Sequence, residues 1–188
     1  YYLIGGSSGH GKTTVGDYMY PLNAWLDAKV KGRKIKIFYL SFEVSKQDKE
    51  ARWCSYFIYL ATGLSIPVDY LLGRIEGNHL TEDELLIVAE AWKHTQEFLQ
   101  DVSILDTSVG PTMIYETMIT YYKKSDMGTL KFRPTEAEKK EGKRGRLVGY
   151  TDTTEAFQTT DVFLIIDHLK LVATEDGLDM KQTMDRIS

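Results

Sequence analysis

The chain is predicted to fold as an α/β domain, a mainly parallel sheet flanked by helices, on three observations. Four short apolar runs, at residues 2–5, 35–40, 102–105 and 162–166, are rich in β-branched and aromatic residues. Their hydrophobicity is nearly continuous instead of alternating, which suits strands covered on both faces. Longer stretches with helical periodicity separate them, as crossover connections between parallel strands require.

Each element has its own signal. Residues 13 to about 30 read as one helix, with Gly32 placed to end it. After the second run, Ser45 can cap a helix that sets Cys54, Phe57, Ile58 and Ala61 on one face. Thr81 followed by Glu84 is a capping-box pattern opening a third helix, with Leu85, Val88, Ala89 and Trp92 as its expected buried stripe. Residues 112–124 form a fourth helix just after Gly110-Pro111. The stretch 125–161 is too long for an ordinary connection and reads as an insertion. Within it, residues 130–132 and 147–150 can pair as a β-hairpin around the charged tip 138–146.

The 188 residues suit a single domain, since domains run to about 100–200 residues. A composition of 43% hydrophobic and 27% charged residues, with no biased low-complexity tract, favours a soluble globular protein over disorder or a fibrous repeat. No apolar run approaches the roughly 18 residues of a membrane span, and no secretory signal opens the chain. No membrane association and a cytoplasmic location, in a bacterium or a phage-infected host, are therefore expected. The chain starts without Met and stops where an amphipathic pattern begins, so a fragment incomplete at its C-terminus is expected. A lone cysteine rules out an internal disulfide framework, and His10, His79, His94 and His168 lack metal-ligand spacing. With a net charge of −4, any nucleic-acid contact has to come from a local basic patch or a ring of subunits.

The strongest chemical signal is Gly6-Ser7-Ser8-Gly9-His10-Gly11-Lys12-Thr13, which matches the G-x-x-x-x-G-K-[ST] pattern of a phosphate-binding P-loop. A buried strand precedes it and a helix follows, which aims backbone N–H groups and the positive helix end at phosphate oxygens. Glycines let the backbone approach the anion closely. Nucleotide contacts are expected from Gly6, Ser7, Ser8, Gly9, His10, Gly11, Lys12, Thr13 and Thr14. Lys12 would reach the β- and γ-phosphates of ATP, and the Thr13 hydroxyl would join the shell of Mg²⁺.

Such a metal needs an acidic partner from another strand. Asp167 ends the run 162–166 at the edge where ligands gather in open α/β sheets, and it reads as that acid. Hydrolysis also needs a group to hold the attacking water. Because His168 follows Asp167, that group lies elsewhere, and Glu43, just beyond the second strand, is the candidate. From spacing alone Glu43 reads equally well as a surface glutamate.

At these residues the chain resembles the DnaB-like replicative DNA helicases, phage versions especially, whose RecA-like P-loop NTPase core pairs the phosphate loop with a Ser-Leu-Glu-Met-type motif. Here that motif stands as Ser41-Phe42-Glu43-Val44, and 165–171 resembles the family's Ile-Asp-Tyr-Leu-Gln-Leu segment, with His168 and Lys170 in place of its Tyr and Gln. Residues 105–112 look like the junction that precedes the acid strand. The resemblance implies catalytic roles for Glu43 and Lys12, and ATP hydrolysis coupled to translocation on single-stranded DNA in replication. It further implies a homo-hexamer with active sites between subunits, and a helicase loader or primase as partner. The family's polar sensor strand, DNA-binding loops and arginine finger are not matched in these residues. Rival readings are a RecA-like recombinase or clock-type ATPase, and a scaffold module in which ATP only orders an interface.

Other features have plainer readings. The basic run 139–146 reads as a solvated hairpin tip more readily than as a phosphate contact, since glutamates flank it and no aromatic residue lies within it. Cys54 reads as core. Arg52 and Arg74 read as surface arginines or subunit contacts. Trp53, Tyr56, Tyr59 and Tyr70 suggest either core packing or a partly exposed surface between subunits.

Overall fold

The computed structural model describes residues 11–77, 79–107, 109–143, 145–151 and 154–167. The strand expected at 2–5 and the loop residues Gly6, Ser7, Ser8, Gly9 and His10 lie outside the described residues, as does His168. The described chain divides into two compact units, one holding residues up to 107 together with 161–167, the other holding residues of 109–160.

The first unit opens with α1 (Lys12–Asp17), which starts at Gly11. Gly11 has φ 71°, a left-handed conformation that costs other residues a Cβ clash. The single helix expected to about residue 30 is interrupted by a π-helical turn, Tyr18–Leu22, before α2 (Asn23–Val30). Pro21 is the cause: it has no N–H to give, and its ring crowds the carbonyl four residues back, so the turn widens. Gly32, at φ 65°, ends α2 as expected; its N–H donates to the Lys29 carbonyl and the Arg33 N–H to that of Ala28.

Strand β1 (Lys34–Ser41) leads to α3 (Lys46–Thr62), where the Ser45 side chain accepts from the Asp48 N–H. A short α4 (Val68–Leu71) precedes α5 (Glu82–Asp101), whose capping box between Thr81 and Glu84 forms in both directions. Strand β2 (Val102–Leu105) follows directly. In the second unit, α6 (Pro111–Lys124) begins with Pro at its first turn, where no donor is missed. Then come β3 (Thr129–Arg133), α7 (Glu136–Lys140), β4 (Arg146–Thr151) and α8 (Glu155–Thr159), and β5 (Thr160–Asp167) returns the chain to the first unit.

A small three-stranded parallel sheet, in the order β2-β1-β5, carries the first unit, with helices flanking it. Ile37 stands opposite Val102 and Leu40 opposite Leu105. Strand β1 is central, and Ile37, Phe38, Tyr39 and Leu40 are all buried, which explains its unbroken apolar sequence. Between β1, α2, α3 and α5 lies an aromatic core in which the Phe98 ring packs edge-on to Trp25, Trp53 and Phe57 at centroid distances of 5.5, 5.0 and 6.1 Å.

Two helix faces differ from expectation. On α3, Cys54, Phe57 and Ile58 are buried but Ala61 is exposed near the helix end. On α5 the stripe is turned: Ala91, Thr95 and Phe98 are buried, Val88 is half-buried, and Leu85, Ala89 and Trp92 are exposed. Apolar residues occupy more than one side of α5, so periodicity alone allows two phases, and packing against α3 chooses between them.

The second unit contains the expected hairpin. Strands β3 and β4 pair antiparallel, Leu130 opposite Tyr150 and Lys131 opposite Gly149, with an irregularity between Lys131 and Phe132. Its charged tip is partly helical: α7 is held by a second capping box, Thr135 with Glu138. Lys139 pairs with Glu136 and Lys143 with Glu141, so glutamates offset part of the basic run. Among the described residues no helix is long and apolar enough to cross a membrane.

Candidate functional site

Thr13 and Asp167, 154 residues apart, meet at one end of the first unit's sheet. The Thr13 hydroxyl in the first turn of α1 lies 3.4 Å from Asp167 Oδ1 at the end of β5, long for a direct hydrogen bond. Lys12 and Thr13 are both half-buried, and Thr14 is exposed. A hydroxyl beside a carboxylate is a hard oxygen pair of the kind that binds Mg²⁺ through a few protein ligands, the rest coming from water and phosphate. These residues fit that metal. Among the described residues no group of three or more His, Cys, Asp or Glu side chains could hold a metal by itself.

Behind Asp167 sits a polar cluster within an otherwise apolar interior. Lys49 of α3 has a side chain 0% exposed, and its ammonium has three protons to place. It donates to Asp17 Oδ1 and Oδ2 at 2.9 and 3.1 Å, to the Tyr39 oxygen at 2.9 Å, and to Asp167 Oδ2 at 3.0 Å. The Tyr39 hydroxyl in turn donates to Asp17. Arg52 Nη1 reaches within 3.5 Å of Asp17 Oδ2 from a partly exposed position. Burial pushes the Asp17 carboxyl up from its ordinary range, against the opposing pull of Lys49, the Tyr39 hydrogen bond and Arg52. Burial, reinforced by Asp17, also pushes the Tyr39 phenol far up, so it stays a neutral donor. Asp167 is the cluster's outlet: Oδ2 is held by Lys49, while Oδ1 faces Thr13.

Local sequence explains the placement. Thr13 and Asp17 are four residues apart in α1 and so share a face. Lys49, Trp53 and Phe57 follow the same spacing on α3, and Tyr39 is in the buried middle of β1. Tyr56 closes the cluster's edge by donating to the Thr14 carbonyl at 3.0 Å, with burial pushing its phenol up to about 12.

Glu43 lies on the bend joining β1 to α3, and it is exposed. The Ser41 hydroxyl, buried at the end of β1, donates to the Val44 carbonyl at 2.6 Å, and Ser45 caps α3. Glu43 is thereby held between two fixed points. Strands β1 and β5 are parallel neighbours, so their C-terminal ends share one edge of the sheet.

The remaining candidates resolve simply. Cys54 is buried and burial pushes its thiol up, which makes it a core residue and a poor nucleophile. Arg74 pairs with Asp48 and Asp69 at the surface. Trp53 is core, Tyr56 and Tyr70 are half-buried, and Tyr59 is 59% exposed.

Sequence reasoning missed Asp17, Tyr39 and Lys49. The signal was available: a lysine spaced on the apolar face of α3, and an aspartate one turn after Thr13, each need a partner once buried. Compared with protein-family models, curated proteins and solved structures, the chain has no significant match in any of the three.

Proposed function

We propose that the chain is a Mg²⁺-dependent, ATP-hydrolysing P-loop domain with a RecA-like core, serving as the motor of a DnaB-like DNA helicase that translocates on single-stranded DNA. One observation carries the nucleotide half of this reading: the hydroxyl of the Gly11-Lys12-Thr13 motif faces a carboxylate that ends a separate strand, at 3.4 Å. That approach of two side chains 154 residues apart supports reading the motif as a nucleotide- and metal-binding loop. The helicase half rests on the resemblance of residues 41–44 and 165–171 to that family.

In this reading the residues divide the work. Gly6 through Thr14 cradle the phosphates, with Lys12 as the point charge on the β- and γ-oxygens. Thr13 and Asp167 would hold Mg²⁺, which when bound offsets charge on the phosphate oxygens. Glu43 orients the attacking water and accepts its proton, from a bend whose ends are tied by Ser41 and Ser45. Translocation would follow from assembly into a homo-hexameric ring with active sites between subunits, and a loader or primase would be its partner.

A fluorescent ATP analogue tests this. The native chain should bind it, Lys12→Ala should lose binding by at least about tenfold, and Glu43→Gln should keep it while abolishing turnover in the assembled ring. Lys12→Ala binding and hydrolysing ATP like the native chain would end the nucleotide assignment. Turnover stimulated by single-stranded DNA supports a motor; nucleotide binding with turnover indifferent to DNA supports the scaffold instead.

A further inference from the structure

We propose that Lys49 is the resident counter-cation of Asp167, and that it makes divalent-metal binding at Thr13 and Asp167 conditional on a polyphosphate. The inference rests on the nucleotide-site reading above and goes beyond it, to the order in which the site fills.

Charge and geometry carry it. The cluster holds two carboxylates, Asp17 and Asp167, and two cations, Lys49 and Arg52, so its formal charge balances without a metal. Lys49 cannot swing away: its side chain is 0% exposed and its three protons meet Asp17, Tyr39 and Asp167. A free divalent cation approaching Asp167 Oδ1 thus meets one neutral hydroxyl and one carboxylate already neutralised on its other oxygen. It also meets the repulsion of an ammonium that sits 3.0 Å from Oδ2 of the same carboxylate. Among the described residues no further carboxylate, histidine or cysteine makes up a group able to hold the ion. The missing negative charge has to arrive with the ligand, and phosphate oxygens supply it. Cation and nucleotide then bind as a coupled pair, each strengthening the other by the same factor.

A purely structural ion pair is the plainer alternative. It would need only Asp17, and it predicts altered stability with no change in metal affinity. The contact of Lys49 with Asp167 separates the two, because it puts the cation on the metal ligand itself.

The full chain is titrated with Mn²⁺ alone, uptake being read from the loss of the free-ion paramagnetic resonance signal. Native protein is compared with Asp17→Asn/Lys49→Met, in which Asn keeps an acceptor for Tyr39 and Met fills the lysine stem. The double variant should take up nucleotide-free Mn²⁺ at least about tenfold more tightly than native. Equal affinities overturn the proposal. A second measurement needs only native protein: Mn²⁺ alone should leave the melting temperature unmoved, and Mn²⁺ with an ATP analogue should raise it. A rise with Mn²⁺ alone overturns the proposal even where the double variant fails to fold. Analogue binding measured with Mg²⁺ present separates the two readings: no binding by native protein ends the nucleotide assignment, whereas normal binding with Mn²⁺ affinity equal in native and double variant ends only the role of Lys49.

Discussion

Helix α3 has two ends that do different jobs. Its first two turns send Lys49 and Arg52 into a knot of charge around Asp17, and the turns from Trp53 onward send Trp53, Phe57 and Ile58 into an aromatic core. Tyr39 joins the two: its ring stands edge-on to Trp53 at 5.7 Å, while its hydroxyl donates to Asp17. The charged end is directional and depends on every partner being present. The aromatic end is a sum of many small contacts and degrades gradually. The contrast shows how one helix can anchor a polar edge of a sheet to its hydrophobic core.

Deleting one charge should produce the largest effect. Asp17→Ala leaves Lys49 buried with part of its partners gone, and unfolding by urea should show a loss of roughly 3–5 kcal/mol. In Asp17→Ala/Lys49→Met most of that loss should be regained, a non-additivity that a double-mutant cycle with the two single variants measures. Additive losses would mean the two residues do not act as a pair.

The aromatic end should yield more gently. Phe98→Leu removes three edge-on ring contacts and should cost about 1–3 kcal/mol without changing cooperativity. A collapse comparable to that of Asp17→Ala would erase the distinction between the two ends.

Two tryptophans sharpen it further. Trp25 Nε1 donates to Asp101 Oδ2 at 2.9 Å, whereas the buried Trp53 Nε1 has no hydrogen-bond partner among the described residues. An unmet buried donor costs about 1–3 kcal/mol, so Trp53→Phe should be offset to within about 1 kcal/mol of native, and Trp25→Phe should cost more. Thermal melts of the two variants settle the order.

The smallest effect is at the surface, where Arg33 donates to Asp161 at 2.7 and 2.6 Å and ties the start of β1 to the start of β5. The hydrogen bonds from Arg33 hold the Asp161 carboxyl below its ordinary value of 3.8. A depressed carboxylate contributes stability that is fully present above the unfolded value and is lost as pH falls through the folded one. Native protein should therefore exceed Asp161→Asn in stability by a small, constant margin near neutrality. That margin should shrink only below about pH 4, read from urea melts at stepped pH.

How much of this was legible beforehand varied with the range of the interaction. Ser45, Thr81 with Glu84, Gly32 and the Gly110-Pro111 junction act on backbone groups a few residues away, so their sequence signals correspond directly to observed caps and ends. The phase of α5 was not legible, because Leu85, Trp92, Ala91 and Phe98 are all apolar and only α3 decides which side turns inward. Nor did the helix after Gly11 show its π-helical turn, although Pro21 was its visible cause. At the candidate site, the motif and the strand-ending acid pointed to Thr13 and Asp167. Asp17, Tyr39 and Lys49 stayed hidden, since each is ordinary until the others are beside it.

By itself, then, the amino-acid order determined the α/β alternation, the capped helix ends and the hairpin pairing, because these depend on periodicity and on bonds between near neighbours. Tertiary structure alone decided which face of α5 is buried, and that a lysine stands behind Asp167. Burying a charge is tolerable only where partners from three distant segments converge, and convergence is a property of the fold, not of any local stretch.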